Sequence, residues 1–374
     1  MLMRFPILVL AFISSFAFAD VRPTENPTGL KTGLAVDING NFGKAARLTD
    51  RDQIFIREAE LTFLAPIDPL FDGVLTGSAH REAESGDANG DGVIDPGEYT
   101  AHTNFELHEA YLSSSKLIPR SRIKAGRYQV GLGRLNRIHR HDWEFTSAPL
   151  INEQVFGEEA YFDNGLEYSW LMPLPFYLDW TVGLTDGANY GKSEGNFYKA
   201  RSKFAYSRLA TYFSIGDTGG AEIGANYAQT KNDSKYQIAG ADFTAKWRDG
   251  KVVRFLFQGE YWNKSQRQGS PITFDQRTSG FYLFPQVGFD ENISFGVRYD
   301  FLHVKNSRLG FKHSVNAVMP VLSIKPSEFS RFNLSYSRQS RAFDAVNLTS
   351  NNKPQSQVEL QATFILGTHP AHNF

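Results

Sequence analysis

The chain has 374 residues, a formal net charge of −1, 14% aromatic residues and no cysteine. Near-zero charge speaks against a nucleic-acid partner, and the absence of thiols excludes disulfides as a source of stability. Many Phe and Tyr residues combined with the mean hydropathy of a water-soluble protein fit strands in which only every second residue is apolar.

At the N-terminus, Arg4 precedes an apolar run over residues 5–18, which closes on Ala17-Phe18-Ala19 before Asp20. A basic start, a short hydrophobic region and an A-x-A site predict a cleaved secretory signal peptide over residues 1–19. No Pro-rich, Gly/Ser-rich or single-charge linker divides the remainder, so residues 20–374 read as one domain. No later stretch is apolar for the ~18 residues that a membrane-spanning helix needs.

Alternation begins near Gly33. Leu34, Val36 and Ile38 interleave with Asp37 and Asn39, and Ala59, Leu61 and Phe63 interleave with Glu58, Glu60 and Thr62. After the turn Pro66-Ile-Asp-Pro69, strands are predicted over residues 71–81, 99–113, 122–133, 166–170 and 176–184. The second half is more regular, with strands over residues 201–215, 221–229, 236–247, 253–262, 278–289, 293–303, 314–324, 332–339 and 358–366. The segment from Ile293 to Phe301 shows the rule. Ile293, Phe295, Val297, Tyr299 and Phe301 share one face, and Ser294, Gly296, Arg298 and Asp300 share the other.

The total is about sixteen strands, an even number within the range of single-chain bacterial barrels. Tight turns at residues 216–220, 248–251 and 289–292 alternate with longer polar loops, the pattern of short periplasmic turns and long outer loops. The predicted fold is therefore all-β, a transmembrane antiparallel up-and-down β-barrel. In hydrocarbon each unpaired backbone group costs several kcal/mol, so the first and last strands are expected to pair.

Three stretches carry chemistry. Residues 87–98 match an EF-hand calcium loop, with Asp87, Asn89, Asp91, Asp95 and Glu98 offering side-chain oxygens, Val93 its carbonyl and Gly92 the sharp turn. The expected cofactor is calcium, held as a staple in an outer loop, although strands rather than helices flank it. The long insert at residues 133–157 contains Arg134, Arg137, His139, Arg140, His141 and Asp142. His139, His141 and Asp142 offer nitrogen and oxygen ligands suited to zinc or another transition metal. The tail Gly367-Thr-His369-Pro-Ala-His372-Asn-Phe374 adds His369 and His372 as further candidate ligands. A basic and aromatic packing loop and a solvated tail are the plainer readings of these last two stretches. No G-x-S-x-G, H-E-x-x-H, P-loop or C-x-x-C sequence is present, so no enzyme activity is expected. Glu58, Glu60, Glu106 and His108 form a polar group on the predicted lumenal face.

The barrel pattern and terminal Phe374 resemble those of bacterial outer-membrane porins, whose terminal aromatic residue is recognised by the barrel-assembly machinery. In sixteen-stranded porins the third outer loop folds into the lumen, and the resemblance implies the same path for residues 133–157. The run Asn136-Arg-Ile-His-Arg-His-Asp-Trp-Glu-Phe145, together with Pro149-Leu150, Phe156-Gly-Glu158 and the ending Gly367-Thr-His-Pro-Ala-His372, is similar to a little-characterised group of outer-membrane proteins. Some of these are labelled zinc-regulated TonB-dependent receptors. Strands here begin near Gly33, which leaves no room for the plug of such receptors, and the strands are fewer.

The function expected is passive diffusion of small polar or ionic solutes through a bacterial outer-membrane channel. Its lumen would be lined by Glu222, Asp242, Arg254, Glu260, Arg298 and Asp300, and narrowed by the loop carrying Arg134, Arg137 and Arg140. Membrane lipid and further copies of the chain in a homotrimer are the expected partners. The alternatives are a zinc-linked receptor or uptake component, and a structural barrel.

Overall fold

The computed structural model describes residues 29–42, 54–85, 99–187, 190, 203–230, 234–268, 274–308, 310–344, 349–351 and 354–367. The predicted signal peptide, the EF-hand-like stretch at residues 87–98, His369, His372 and Phe374 lie outside the described residues.

In chain order the strands are β1 (Lys31–Phe42), β2 (Ile54–Pro66), β3 (Asp72–Ser85), β4 (Tyr99–Ser114), β5 (Ser121–Gln129), β6 (Phe162–Leu171), β7 (Asp179–Thr185), β8 (Phe204–Ile215), β9 (Gly219–Thr230), β10 (Ser234–Asp249), β11 (Val252–Gln268), β12 (Phe274–Gly288), β13 (Ile293–Asn306), β14 (Phe311–Ser327), β15 (Ser330–Gln339), β16 (Ala342–Asp344), β17 (Thr349–Asn351) and β18 (Gln355–Gly367). Sixteen of them close an antiparallel barrel in which each strand pairs with its chain neighbours. The short β16–β17 hairpin stands apart as a two-stranded sheet, so β15 pairs directly with β18. Closure is made by β1 and β18, from Gly33 opposite Gly367 to Phe42 opposite Val358. With the ring closed, no strand presents an unpaired edge to hydrocarbon.

Outward faces carry large apolar side chains exposed at about half their area, among them Leu61, Leu75, Leu166, Ile223, Phe295 and Leu334. Around a closed barrel these form a continuous apolar band, far larger than the patch of a few hundred Å² common on soluble monomers. Charged and polar partners on the same strands point inward and are buried, including Asp37, Glu58, Glu60, Asp242, Arg298 and Asp300.

Strand limits differ from the pattern where side-chain alternation and backbone pairing part company. β11 runs to Gln268, paired there with Ser234 of β10. Its last residues, Asn263 to Gln268, are mostly polar, because pairing continues past the apolar band while the demand for apolar side chains does not. β7 starts at Asp179 rather than near residue 176, because residues 172–178 close a turn in which Met172 N–H donates to the Leu178 carbonyl at 2.9 Å. Pro173 and Pro175 within it have no N–H to give a ladder.

The inner volume is not empty. Between β5 and β6 the chain turns into the barrel, forming two 3-10 turns, Leu135–Arg137 and Arg140–Asp142, and helix α1, Leu150–Phe156. At the inward turn Gly133 has φ +64°, and a Cβ there would lie 2.7 Å from the Trp262 ring and 2.8 Å from Glu260 Oε2. Only glycine fits both the conformation and the space.

Candidate functional site

The inward loop fastens to the wall by charge and by packing. Glu260 on β11 accepts from the backbone N–H of Leu135 at 2.7 Å, from Asn152 at 3.0 Å and from Trp262 Nε1 at 2.7 Å. Arg298 on β13 pairs with Asp300 at 2.8 Å, donates to the Ser147 carbonyl and lies over the Phe145 ring at 4.6 Å. Asp300 also accepts from the Leu150 N–H at 3.3 Å. Around the closure of the ring Arg57 pairs with Asp37 and donates to the Thr146 carbonyl, while the Thr146 hydroxyl meets Ser335 at 2.8 Å and Glu359. Arg137 reaches Glu222 at 3.1 Å, and Lys325 reaches Glu144 at 3.1 Å. Burial acts to raise the Glu144 carboxyl, but Lys325 and Arg331 overcome it and bring it to about 2.

Two apolar clusters complete the seat. Ile151, Val155 and Phe156 of the loop pack with Trp262, Leu302 and Val304 of the wall. Leu135, Trp143 and Phe145 pack with Leu256, Phe284 and Val321. The loop therefore spans the barrel interior from β1 and β18 to β9 and β11.

Beside it remains a polar cavity of about 530 Å³. Arg122, Lys124, Arg134, Arg137 and Arg208 line it together with Glu109, Glu167, Asp179 and Glu222. Most of these charges answer one another. Arg208 pairs with Asp242 at 2.6 Å and Glu222 at 2.7 Å, and Lys124 lies 3.4 Å from Glu167.

Among the described residues, a dense group of titratable side chains joins β2 and β4 to the loop. A bulge in β4, where the pairing with β3 steps from Thr76–Glu109 to Gly77–Leu107, leaves His108 without an opposite residue. Two successive residues, His108 and Glu109, consequently both face inward and are buried. Glu60 Oε2 lies 3.0 Å from His139 Nδ1, 3.7 Å from His108 Nδ1 and 4.0 Å from His141 Nδ1. Each imidazole turns its other nitrogen to a carboxylate. His139 Nε2 is 3.4 Å from Glu109, His108 Nε2 is 3.8 Å from Glu159 and His141 Nε2 is 3.2 Å from Asp142. Burial acts to lower the His139 imidazole, but Glu60 and Glu109 hold it well above its usual value. His141 is likewise raised, with Asp142 outweighing burial. Burial, then the nearby Arg57 charge, lowers Arg140 to about 10, and Arg140 lies 3.6 Å from Glu159.

The residues singled out in the sequence thus fall into distinct places. His139, His141 and Asp142 join the histidine–carboxylate group, whereas Glu222, Asp242, Glu260, Arg298 and Asp300 face inward as partners of the loop or of Arg208. Arg254 is half-exposed at the turn end of β11, where it pairs with Asp249 at 3.1 Å and donates to the Phe289 carbonyl. Glu106 pairs with Arg127 at 2.8 Å and stays outside the histidine group. Glu109 and Glu159 complete the group without any sequence motif to mark them. The one available signal was the adjacent pair His108-Glu109 between Leu107 and Ala110, a break in alternation that marks the bulge.

These features define a closed sixteen-stranded transmembrane-type barrel with its third long connection folded inside. No family model matches the chain. An uncharacterized protein of Aquifex aeolicus (strain VF5) is 26% identical over 364 residues, covering 87% of this chain and 71% of that protein. Among solved structures, Pseudomonas putida OprB superposes with a TM-score of 0.58 at 8% identity, covering 91% of this chain and 94% of its own. An anion-selective porin from Comamonas acidovorans superposes with a TM-score of 0.55 at 10% identity, covering 90% and 99%. At such identities the likeness is one of fold.

Proposed function

We propose that the protein is an outer-membrane channel for passive diffusion of small polar or ionic solutes, its lumen narrowed by the loop between β5 and β6. The observation that carries this reading is the pairing of an apolar outward band with an inner polar cavity lined by charges of both signs. A channel selects by constriction size and charge placement rather than by chemistry. The OprB and anion-selective porin likenesses support a porin-type channel. The cavity's acids and bases are largely paired with one another, so the lining favours neither ion sign. In this reading β1 and β18 start and end on the periplasmic side, and the chain assembles as a homotrimer, which the mass of the detergent-solubilised protein would check. Single-channel recording in planar bilayers is the direct test. Discrete conductance steps are expected, and a correctly folded barrel that passes no current would overturn the proposal.

Residues 87–98 join β3 to β4 at the end of the barrel that bears the long connections. We infer a calcium ion there, stapling an outer loop. Calorimetry should show calcium binding by the wild type and its loss in Asp87→Ala, because one carboxylate ligand is removed. No heat in either protein would refute the site.

A further inference from the structure

The geometry points to a divalent transition-metal site of the zinc type, formed by Glu60 on β2, His108 on the β4 bulge and His139 on the inward loop. Such an ion would clasp the loop to the barrel wall. The candidate ligand atoms of these three residues lie within 4.8 Å of one another. Ligand atoms about 2.0–2.1 Å from a tetrahedral zinc stand roughly 3.3 Å apart. The separations of 3.0 and 3.7 Å from Glu60 Oε2 to His139 and His108 fall on either side of that value.

Three further observations favour an ion over a simple hydrogen-bonded group. First, His108 is 2% exposed, yet its Nδ1 has no hydrogen-bond partner while aimed at Glu60. A buried polar atom left so is destabilising, and coordination removes that cost. Second, His108 and His139 both turn Nδ1 to the centre and Nε2 to a carboxylate, Glu159 and Glu109 respectively. Carboxylates placed in this way fix the tautomer and raise the basicity of metal-bound histidines. His141, backed by Asp142, repeats the arrangement and is the nearest candidate for a fourth ligand. Third, five carboxylates, Glu58, Glu60, Glu109, Asp142 and Glu159, gather here against the single guanidinium of Arg140 beside Glu159, while Arg57 is taken up by Asp37 and the Thr146 carbonyl. A dication supplies positive charge where carboxylates predominate.

The ligands come from two wall strands and the loop, so occupancy fixes the loop at one edge of the cavity. This consequence rests on the channel reading, whereas the binding itself does not. The test is calorimetric titration of zinc into the chelator-stripped, detergent-folded protein, with calcium present throughout to keep the calcium loop filled. About one zinc per chain is expected. Glu60→Gln, His108→Ala and His139→Ala should each abolish binding or weaken it by on the order of a hundred-fold. Glu109→Gln, which removes only an outer partner, should weaken it about ten-fold. Four-coordinate visible absorption with cobalt in place of zinc would support the same ligand set. His303→Ala, a wall histidine bonded to Ser314, should bind as wild type. Should His108→Ala fail to fold, His139→Ala lies outside the strands and carries the test. No uptake by the wild type, which would leave protonated imidazoles as the carboxylates' partners, overturns the site. Uptake unchanged by the ligand substitutions overturns it too. A channel that conducts but takes up no zinc refutes this inference and leaves the channel standing, and a zinc-binding barrel without conductance does the reverse.

Discussion

Asp300 and Arg298 show what single inward charges do here. The alternation from Ile293 to Phe301 places both on the polar face, where they suggest a wet, ion-facing lining. The fold surrounds them instead. Asp300 is fully buried, bonded to Arg298 and to the Leu150 N–H, and Arg298 grips two loop carbonyls. Removing one partner of a buried pair leaves an uncompensated charge and costs about 3–5 kcal/mol. Asp300→Ala should therefore lower the urea midpoint of the detergent-folded protein markedly, and Asp300→Asn, which keeps a hydrogen-bond acceptor, should lower it less. An unchanged midpoint for Asp300→Ala would show that the pair does not hold the loop. Which face Asp300 occupies was legible in sequence. That its partner is a loop 150 residues away in the chain was not, because nothing local distinguishes a charge facing water from one facing a carbonyl.

For the strands, period-two patterning works because lipid contact fixes one face and turns of a few residues fix the register. All sixteen barrel strands can be found this way, with errors confined to their ends. β18 is the element on which closure depends, pairing with β1 on one side and β15 on the other. Truncation after Pro354 would expose two strand edges to hydrocarbon, at several kcal/mol for each unpaired group. No folded species should form in vesicles, as read by the heat-dependent shift of folded barrels on gels. A truncated chain that still shows the shift would refute the closure argument. The β4 bulge is the element least visible beforehand. A bulge adds one residue to one strand only, so it is defined by the partner's register and not by the strand's own sequence.

For the whole molecule, the deciding feature is the loop lying across the interior. The resemblance to sixteen-stranded porins implied this path, and the strand pattern held a further hint of it. β11 and β14 place apolar residues on their inner faces as well, with Leu256 and Trp262 in one and Met319 and Val321 in the other. A water-filled lumen gives no reason for these. The same packing sets what conductance should show, namely small steps governed by the cavity beside the loop rather than by the barrel's full bore.

Sequence by itself determined that the chain is a closed barrel and which faces turn out, because these follow from local period, turn chemistry and the bilayer's demand for paired backbone, whereas the strand expected over residues 122–133 leaves the wall already after Gln129. Only the tertiary structure decided that Glu60, His108 and His139 meet. They lie on two strands and a loop, and their approach depends on a bulge, a barrel curvature and an apolar seat that no short stretch of sequence encodes.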